Sequence, residues 1–387
     1  MEKLRCGVAA LGRFHMFDLA RQLVRLGQDV RLFSGYPIFK VDPDLRPISQ
    51  TRAVRVVLAH VRTRVPIPVK TTWWADRSIE DFGAWLGRKS KRMDLDFLDA
   101  LAGTGLEAGR VLKRRGVPWV CNRGSTHIST QKRLLEEEHA RWRVEPPYFS
   151  ECGLRRSLAE YAESDAIVVP SEFARRSFLE HGFSPSRVFK IPYGVDLSLF
   201  APAASAGGRP RKLRIAFVGA CSIRKGIGYL LEALKPLVQR GSVDIWIFGS
   251  VLREAQTILG AHSGEFTHRG VVPRKILGRQ LSQCDVLILP SVEEGLALVL
   301  SQAMACGLAV IATPNTGAED LFTNGVEGFI VPFGTPSAIS ERVAWMLDNP
   351  LALSKMKAAA LERVRRMGGW DTYGEMSLRM YQALLTR

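Results

Sequence analysis

The chain has 387 residues, 46% of them apolar and 24% charged, with 54 basic and 38 acidic side chains giving a formal charge of +16. That length is long for one hydrophobic core, so two domains of roughly 150–200 residues are expected. No low-complexity tract points to disorder and no apolar run reaches the ~18–20 residues that span a bilayer.

The first half alternates strands and helices. Leu4 to Leu11 reads as a strand, running straight from the N-terminus without a signal-peptide pattern. Gly12-Arg13-Phe14-His15 follows, then a helix with Phe17, Leu19, Ala20, Leu23, Val24 and Leu26 at helical spacing, closed by Gly27. Asp29 to Ser34 and Ala53 to Val61 are the next expected strands. A Pro-containing loop, Trp73-Trp74 and the basic cluster Arg88, Lys89, Lys91 and Arg92 come next, and a helical segment to Gly116. Asp94-Leu95-Asp96 imitates a metal-binding D-x-D but reads as a solvated face of that helix. Pro118 to Asn122 is a strand, leading into the polar turn Arg123-Gly124-Ser125-Thr126-His127. Asp165 to Pro170 is another strand, with Ser171 as N-cap of a helix from Glu172 to His181. Val188 to Pro192 closes the series and runs into Tyr193 to Asp196.

Residues 201–212 lose all periodicity and read as a linker between a first domain, 1–200, and a second, 213–369. The second domain alternates again, with strands near 213–218, 244–248, 266–271, 285–289, 308–312 and 328–332. Short apolar strands between helices indicate parallel sheets covered on both faces, with ligands at the carboxyl ends of the strands. Two such domains leave a cleft between them. The amphipathic stretch 370–387 is expected to cross back and brace the first domain.

Two segments of the second domain carry chemistry. The strand Val286 to Leu289 turns at Pro290 and Ser291 into Glu293, Glu294 and Gly295, and a helix from about Leu296 to Gly307 follows. Such a helix N-terminus is an anion site. Phe217 to Gly226, F-V-G-A-C-S-I-R-K-G, sets a turn glycine, Gly219, and two cations, Arg224 and Lys225, before another helix. Two fixed cations there suit a diphosphate.

These segments, with A-M-A-C-G at Ala303 to Gly307, N-T-G at Asn315 to Gly317 and N-G-V-E-G-F-I-V-P at Asn324 to Pro332, resemble the retaining GT-B-fold glycosyltransferases of family 4. Tyr193-Gly194-Val195-Asp196 to Phe200 is similar to the family's N-G-V-D-x-x-x-F. The resemblance implies two Rossmann-like α/β domains across a cleft, and transfer of a hexose-type sugar from a nucleotide-diphosphate sugar to an acceptor hydroxyl. It implies no cofactor and no metal. Lys225 matches the phosphate lysine, with Arg224 beside it, and Glu294 the first acid of a pair, contacting sugar hydroxyls. Gln302 stands where the second acid accepts from the ribose, and loss of that charge is worth roughly 1.5–3 kcal/mol at most. The amides of Gly295, Leu296, Ala297 and Leu298 would face the phosphates, and the backbone at Gly270, Val271 and Val272 would select the base. In the first domain, Gly12, Arg13 and His15 match the loop facing the acceptor, and Arg123 and Ser125 belong to the turn where members carry a cleft histidine, here His127.

Of the excess charge, +10 falls in the first 200 residues, where 33 basic side chains face 23 acidic ones. Nucleotides and an acidic lipid surface are the anionic partners expected, the latter through Trp73-Trp74 and the cluster Arg88 to Arg92, if the acceptor is lipid-linked. No nucleic-acid recognition motif accompanies the charge. Six scattered cysteines without a zinc spacing read as reduced thiols in a cytoplasmic protein, at the inner face of the membrane if that surface docks there. A relative without transferase activity, epimerase-like or a decayed partner subunit, is the alternative that Gln302 suggests.

Overall fold

The computed structural model describes residues 3–53, 71–147, 149–196, 198–202 and 212–386, and for residues 71–75 the backbone alone. Among them are two sheets. The first holds β1 (Arg5–Ala10), β2 (Asp29–Ser34), β3 (Ser49–Thr51), β4 (Phe97–Leu101), β5 (Trp119–Asn122), β6 (Ala166–Val169) and β7 (Val188–Lys190), in the order β3-β2-β1-β4-β5-β6-β7. The second holds β8 (Leu213–Val218), β9 (Val243–Phe248), β10 (Thr267–Gly270), β11 (Val286–Leu289), β12 (Ala309–Ala312) and β13 (Gly328–Ile330), in the order β10-β9-β8-β11-β12-β13. Every pairing is parallel. Apolar side chains therefore bury on both faces of the inner strands, as in Val286–Leu289 and Ala309–Ala312, where every residue is buried, while the edge strands β3 and β10 bury none of theirs.

In each sheet the strand order reverses once, between β1 and β4 and between β8 and β11. Loops leaving adjacent strands at such a point run to opposite faces and leave a crevice. The two crevices face each other, so the loops after β1, β4, β8 and β11 meet in one inter-domain cavity.

The first sheet has a core on each face. On one, Val8, Ala10, Phe97 and Val120 pack against the helix His15–Arg25. The helix Trp370–Leu385 lies beside it, adding Tyr373, Met380 and Tyr381 to the same core. Tyr381 stacks on Phe97 with ring centroids 4.0 Å apart, worth about 0.5–1.5 kcal/mol beyond the area it buries. Leu98, Ala100, Cys121 and Ile167 pack on the other face.

Three sequence expectations are corrected. The segment before Gly116 is not one helix: a helix spans Thr71–Ser90, and β4 then enters the middle of the sheet. Asp94 and Asp96 lie on the loop into β4, both ion-paired with Arg5, rather than on a helix face. The helix expected from Leu296 begins two residues later, at Leu298. The strand expected over Ala53 to Val61 falls on residues 54–61, outside the described residues, as do residues 203–211 of the linker. The six cysteines are free, and all but Cys152 are buried.

Candidate active site

The cavity between the domains has a volume of about 1410 Å³. Its second-domain wall is built from two abutting loops. The chain leaves β8 at Gly219, whose φ of 140° is open only to glycine, and reaches Gly226 at φ 70° before the helix Ile227–Gln239. A Cβ on Gly226 would lie 2.0 Å from the carbonyl oxygen of Pro290, so only glycine lets the loop after β11 pack this closely. The amide of Val292 donates to the Arg224 carbonyl at 2.8 Å and seals the two loops together.

The N-T-G segment braces the second of them. Asn315 Nδ2 donates to the Val292 carbonyl at 2.7 Å, and the amides of Glu294 and Ala297 donate to the carbonyls of Asn315 and Thr316 at 3.0 and 2.9 Å. This scaffold holds Glu294 against both cations. Arg224 Nη1 lies 3.0 Å from Glu294 Oε1, and Lys225 Nζ pairs with the same oxygen. Arg224 also donates to the Glu293 carbonyl at 2.9 Å. Gly219, Lys225, Glu294, Leu296, Ala297, Leu298 and Gln302 all border the cavity. The amides of Ala297 and Leu298 are already taken by carbonyls of Thr316 and Leu296, so they are not free for a phosphate as expected. Gly270, Val271 and Val272 leave the edge strand β10 outside the cavity wall, with Val271 exposed, while Arg274 on the same connection reaches the cavity.

Glu293 turns the opposite way and is fully buried across the domain boundary. Its carboxylate accepts from Ser125 Oγ, from the Thr126 amide at 3.2 Å, from Thr126 Oγ1 at 2.9 Å and from Gln131 Nε2 at 3.0 Å. Burial alone would raise its pKa, but the donors from Ser125, Thr126 and Gln131, with the Arg224 charge, outweigh it and hold it below the usual glutamate range. Farther along the boundary, Tyr229 donates to Glu138, and Lys190 pairs with Asp320 at 2.7 Å.

On the first-domain wall the expected histidine is the wrong one. His127 caps the helix Ile128–Arg141 and is buried, stacked on His181 with centroids 3.8 Å apart and surrounded by Tyr161 and Phe178. Burial first, then the charges of His181 and Arg123, lower its pKa to about 3. It belongs to the core and does not border the cavity. The imidazole that does is His15, at the start of the helix His15–Arg25. Arg13, Arg123 and Ser125 border it too, whereas Gly12 does not. Arg13 pairs with Asp42 at 2.9 Å, and Arg123 spends its guanidinium on neutral oxygens, the Thr126 carbonyl at 3.0 Å and Gln131 Oε1 at 2.7 Å.

Among the described residues no helix is long and apolar enough to cross a membrane. A family model described as "Glycosyltransferase Family 4" matches residues 13–199, and one described as "Glycosyl transferases group 1" matches residues 212–349. The chain is 25% identical to the MMP alpha-(1->4)-mannosyltransferase of Mycolicibacterium hassiacum, over 100% of this chain and 97% of that one. Its fold is similar to sucrose-phosphate synthase from Thermosynechococcus elongatus, with a TM-score of 0.74 at 18% identity over 98% and 99% of the two chains. It is also similar to Anabaena HepE, solved in complex with UDP-glucose, with a TM-score of 0.70 at 15% identity over 98% and 100%. The two facing parallel-sheet domains are thus a GT-B fold.

Proposed function

This chain belongs to the glycosyltransferases of group 1 and family 4, and from that premise we propose that it moves a hexose-type sugar from a nucleotide-diphosphate sugar to an acceptor hydroxyl, retaining the anomeric configuration. The observation that carries this reading is the triad of Glu294, Arg224 and Lys225 at the switch point of the second sheet, where Glu294 and Lys225 border the cavity and Arg224 pairs with Glu294 from behind them. In the free protein the carboxylate pairs with both cations and leaves a net positive charge. A diphosphate competes for them with its own oxygens and frees Glu294 to accept from sugar hydroxyls. The acceptor oxygen then bonds to the anomeric carbon on the face the diphosphate leaves. The carbon–oxygen bond to phosphate breaks, and a phosphate oxygen takes the hydroxyl proton. Arg224 and Lys225 stabilise the charge growing on the leaving group more than the ground state, which is metal-independent electrostatic catalysis.

A mannosyltransferase among the relatives and UDP-glucose in HepE support a hexose on a nucleotide carrier. Gln302 borders the cavity and would accept one ribose hydroxyl through its amide oxygen. The decisive experiment measures nucleoside diphosphate release from a panel of nucleotide-sugars. Lys225→Ala should lower turnover about 100-fold, on the scale of losing one transition-state donor. Turnover within a few-fold of the parent would show the assignment to be wrong.

Lipid docking rests on the exposed Arg88, Lys89, Lys91 and Arg92 at the end of the helix Thr71–Ser90. Sedimentation with anionic vesicles that weakens with salt would support it, and absence of pelleting at low salt would dismiss it.

A further inference from the structure

His15 is not a free-standing cleft residue; a chain of polar groups behind it runs into the first-domain core. Its Nε2 lies 2.8 Å from Asn122 Oδ1. Asn122 Nδ2 donates to Asp99 Oδ2 at 3.3 Å, and Tyr381 donates to that same oxygen at 2.5 Å. Asp99 and Asn122 are buried on neighbouring central strands, β4 and β5, facing the helix Trp370–Leu385. The ring itself is clamped: Tyr193 packs at 4.4 Å between centroids, and Tyr373 meets it edge-on at 6.2 Å. Gly124 leaves room for this, since a Cβ there would stand 2.9 Å from the Tyr193 hydroxyl and 3.6 Å from His15 Cε1.

This arrangement dictates where the imidazole proton sits. Asp99 Oδ2 can only accept from Asn122, so the amide must turn its nitrogen inward and its oxygen toward His15. That oxygen in turn needs a proton on Nε2. Burial among these groups lowers the His15 pKa to about 4, against the opposing bond to Asn122, so the ring is neutral at physiological pH. A neutral ring protonated on Nε2 leaves a lone pair on Nδ1, which has no hydrogen-bond partner among the described residues while the ring borders the cavity. The other Asp99 oxygen, Oδ1, is buried without a partner. A proton on Asp99 would sit there, so Oδ2 stays an acceptor in either state.

We propose that Asp99 and Asn122 are positioning residues that lock His15 in its Nε2-protonated tautomer, so that Nδ1 accepts a hydrogen bond from a sugar hydroxyl in the cleft. The C-terminal helix completes the device by bringing Tyr381 to Asp99. The role rests on the transferase reading, but the tautomer does not.

The test begins with nitrogen NMR of the full chain labelled with 15N-histidine, His15 being assigned by the signal lost in His15→Gln. The parent should show one neutral tautomer, protonated on Nε2; a proton on Nδ1 overturns the proposal without any further variant. Asp99→Leu should release the amide and mix the tautomers. Asp99→Asn should keep the lock, because its carbonyl oxygen can serve both donors, and this separates an acceptor role from a charge role. If Asp99→Leu does not fold, Asn122→Leu makes the same test. In the transfer assay Asn122→Leu should lower turnover about tenfold, the worth of one neutral hydrogen bond. The affinities for UDP and GDP should stay at the parent values, because His15 reads sugar and not nucleotide. A fall in nucleotide affinity with turnover preserved would overturn the positioning role. Inactivity of the parent with every donor would instead remove the transferase reading and leave the tautomer result standing.

Discussion

Glu293→Ala is predicted to open the two domains. The carboxylate takes three donors from one first-domain turn and a fourth, Gln131, from the helix that follows, and it is fully buried there. Removing the carboxylate leaves these neutral donors buried, at about 1–3 kcal/mol for each that finds no other acceptor. Opening lets water reach them, so the penalty falls on the closed state alone, shifting the closed-to-open ratio by roughly 100-fold or more. Other boundary contacts remain, including Tyr229 with Glu138 and Lys190 with Asp320, so the expected product is a hinged molecule rather than separated domains. Glu293→Gln keeps one acceptor oxygen and should lie between parent and alanine variant. Small-angle scattering would show a larger radius of gyration, and turnover should fall because Glu294, the next residue, loses its fixed frame. The pH sense follows from the lowered pKa. A carboxyl depressed in the closed state adds stability above its ordinary pKa of ~4.3 and loses it as pH falls through the closed-state value. Closure should therefore persist from neutral into mildly acidic pH. Scattering and turnover both unchanged in Glu293→Ala would refute the argument.

Gly295→Ala offers an independent route to the same opening: its Cβ would lie 2.0 Å from the Gly124 carbonyl oxygen across the boundary, so scattering should again report expansion, and a closed variant would contradict the packing. Asp99 makes a separate stability prediction. Burial raises its pKa to about 7 against the bonds from Tyr381 and Asn122, so the folded state holds its proton more tightly than the unfolded chain. Its stabilisation is complete below the unfolded pKa of ~3.9 and fades as pH rises through about 7, a change on the order of 4 kcal/mol. Urea unfolding of parent and Asp99→Asn, compared at about pH 4.5 and about pH 8, should show the parent losing ground at the higher pH. A constant difference would dismiss the buried-acid reading.

The parts of the site legible in the sequence are those where one short segment sets its own geometry. Gly219, Lys225 and Glu294 each belong to a strand–turn–helix connection whose glycines and polar residues mark the turn locally. The first-domain wall depends on distant partners and was not legible in that way. Asp99 splits the F-L-D-A-L run of β4 and disguises a central strand, because its acceptor Oδ2 is satisfied by Tyr381, 282 residues away. His127 and His15 look alike as turn histidines. What separates them is that His181 and Phe178 close over one ring, while Tyr193 and Asn122 hold the other at the cavity.

The adjacent acids Glu293 and Glu294 show why a local reading stops short even where it succeeds. On one loop they point to opposite sides, one fastened to the first domain and the other to the two cations. Arg224 touches both, pairing with the Glu294 carboxylate and donating to the Glu293 carbonyl. An anion that draws Arg224 away therefore pulls on the same peptide unit that closes the cleft. Nucleotide binding to Glu293→Ala should distinguish a mechanical link from mere proximity. If Arg224 couples the two, UDP or GDP affinity changes with the latch removed even though Glu293 never touches the ligand; identical affinities in parent and variant would leave closure and phosphate binding as independent events.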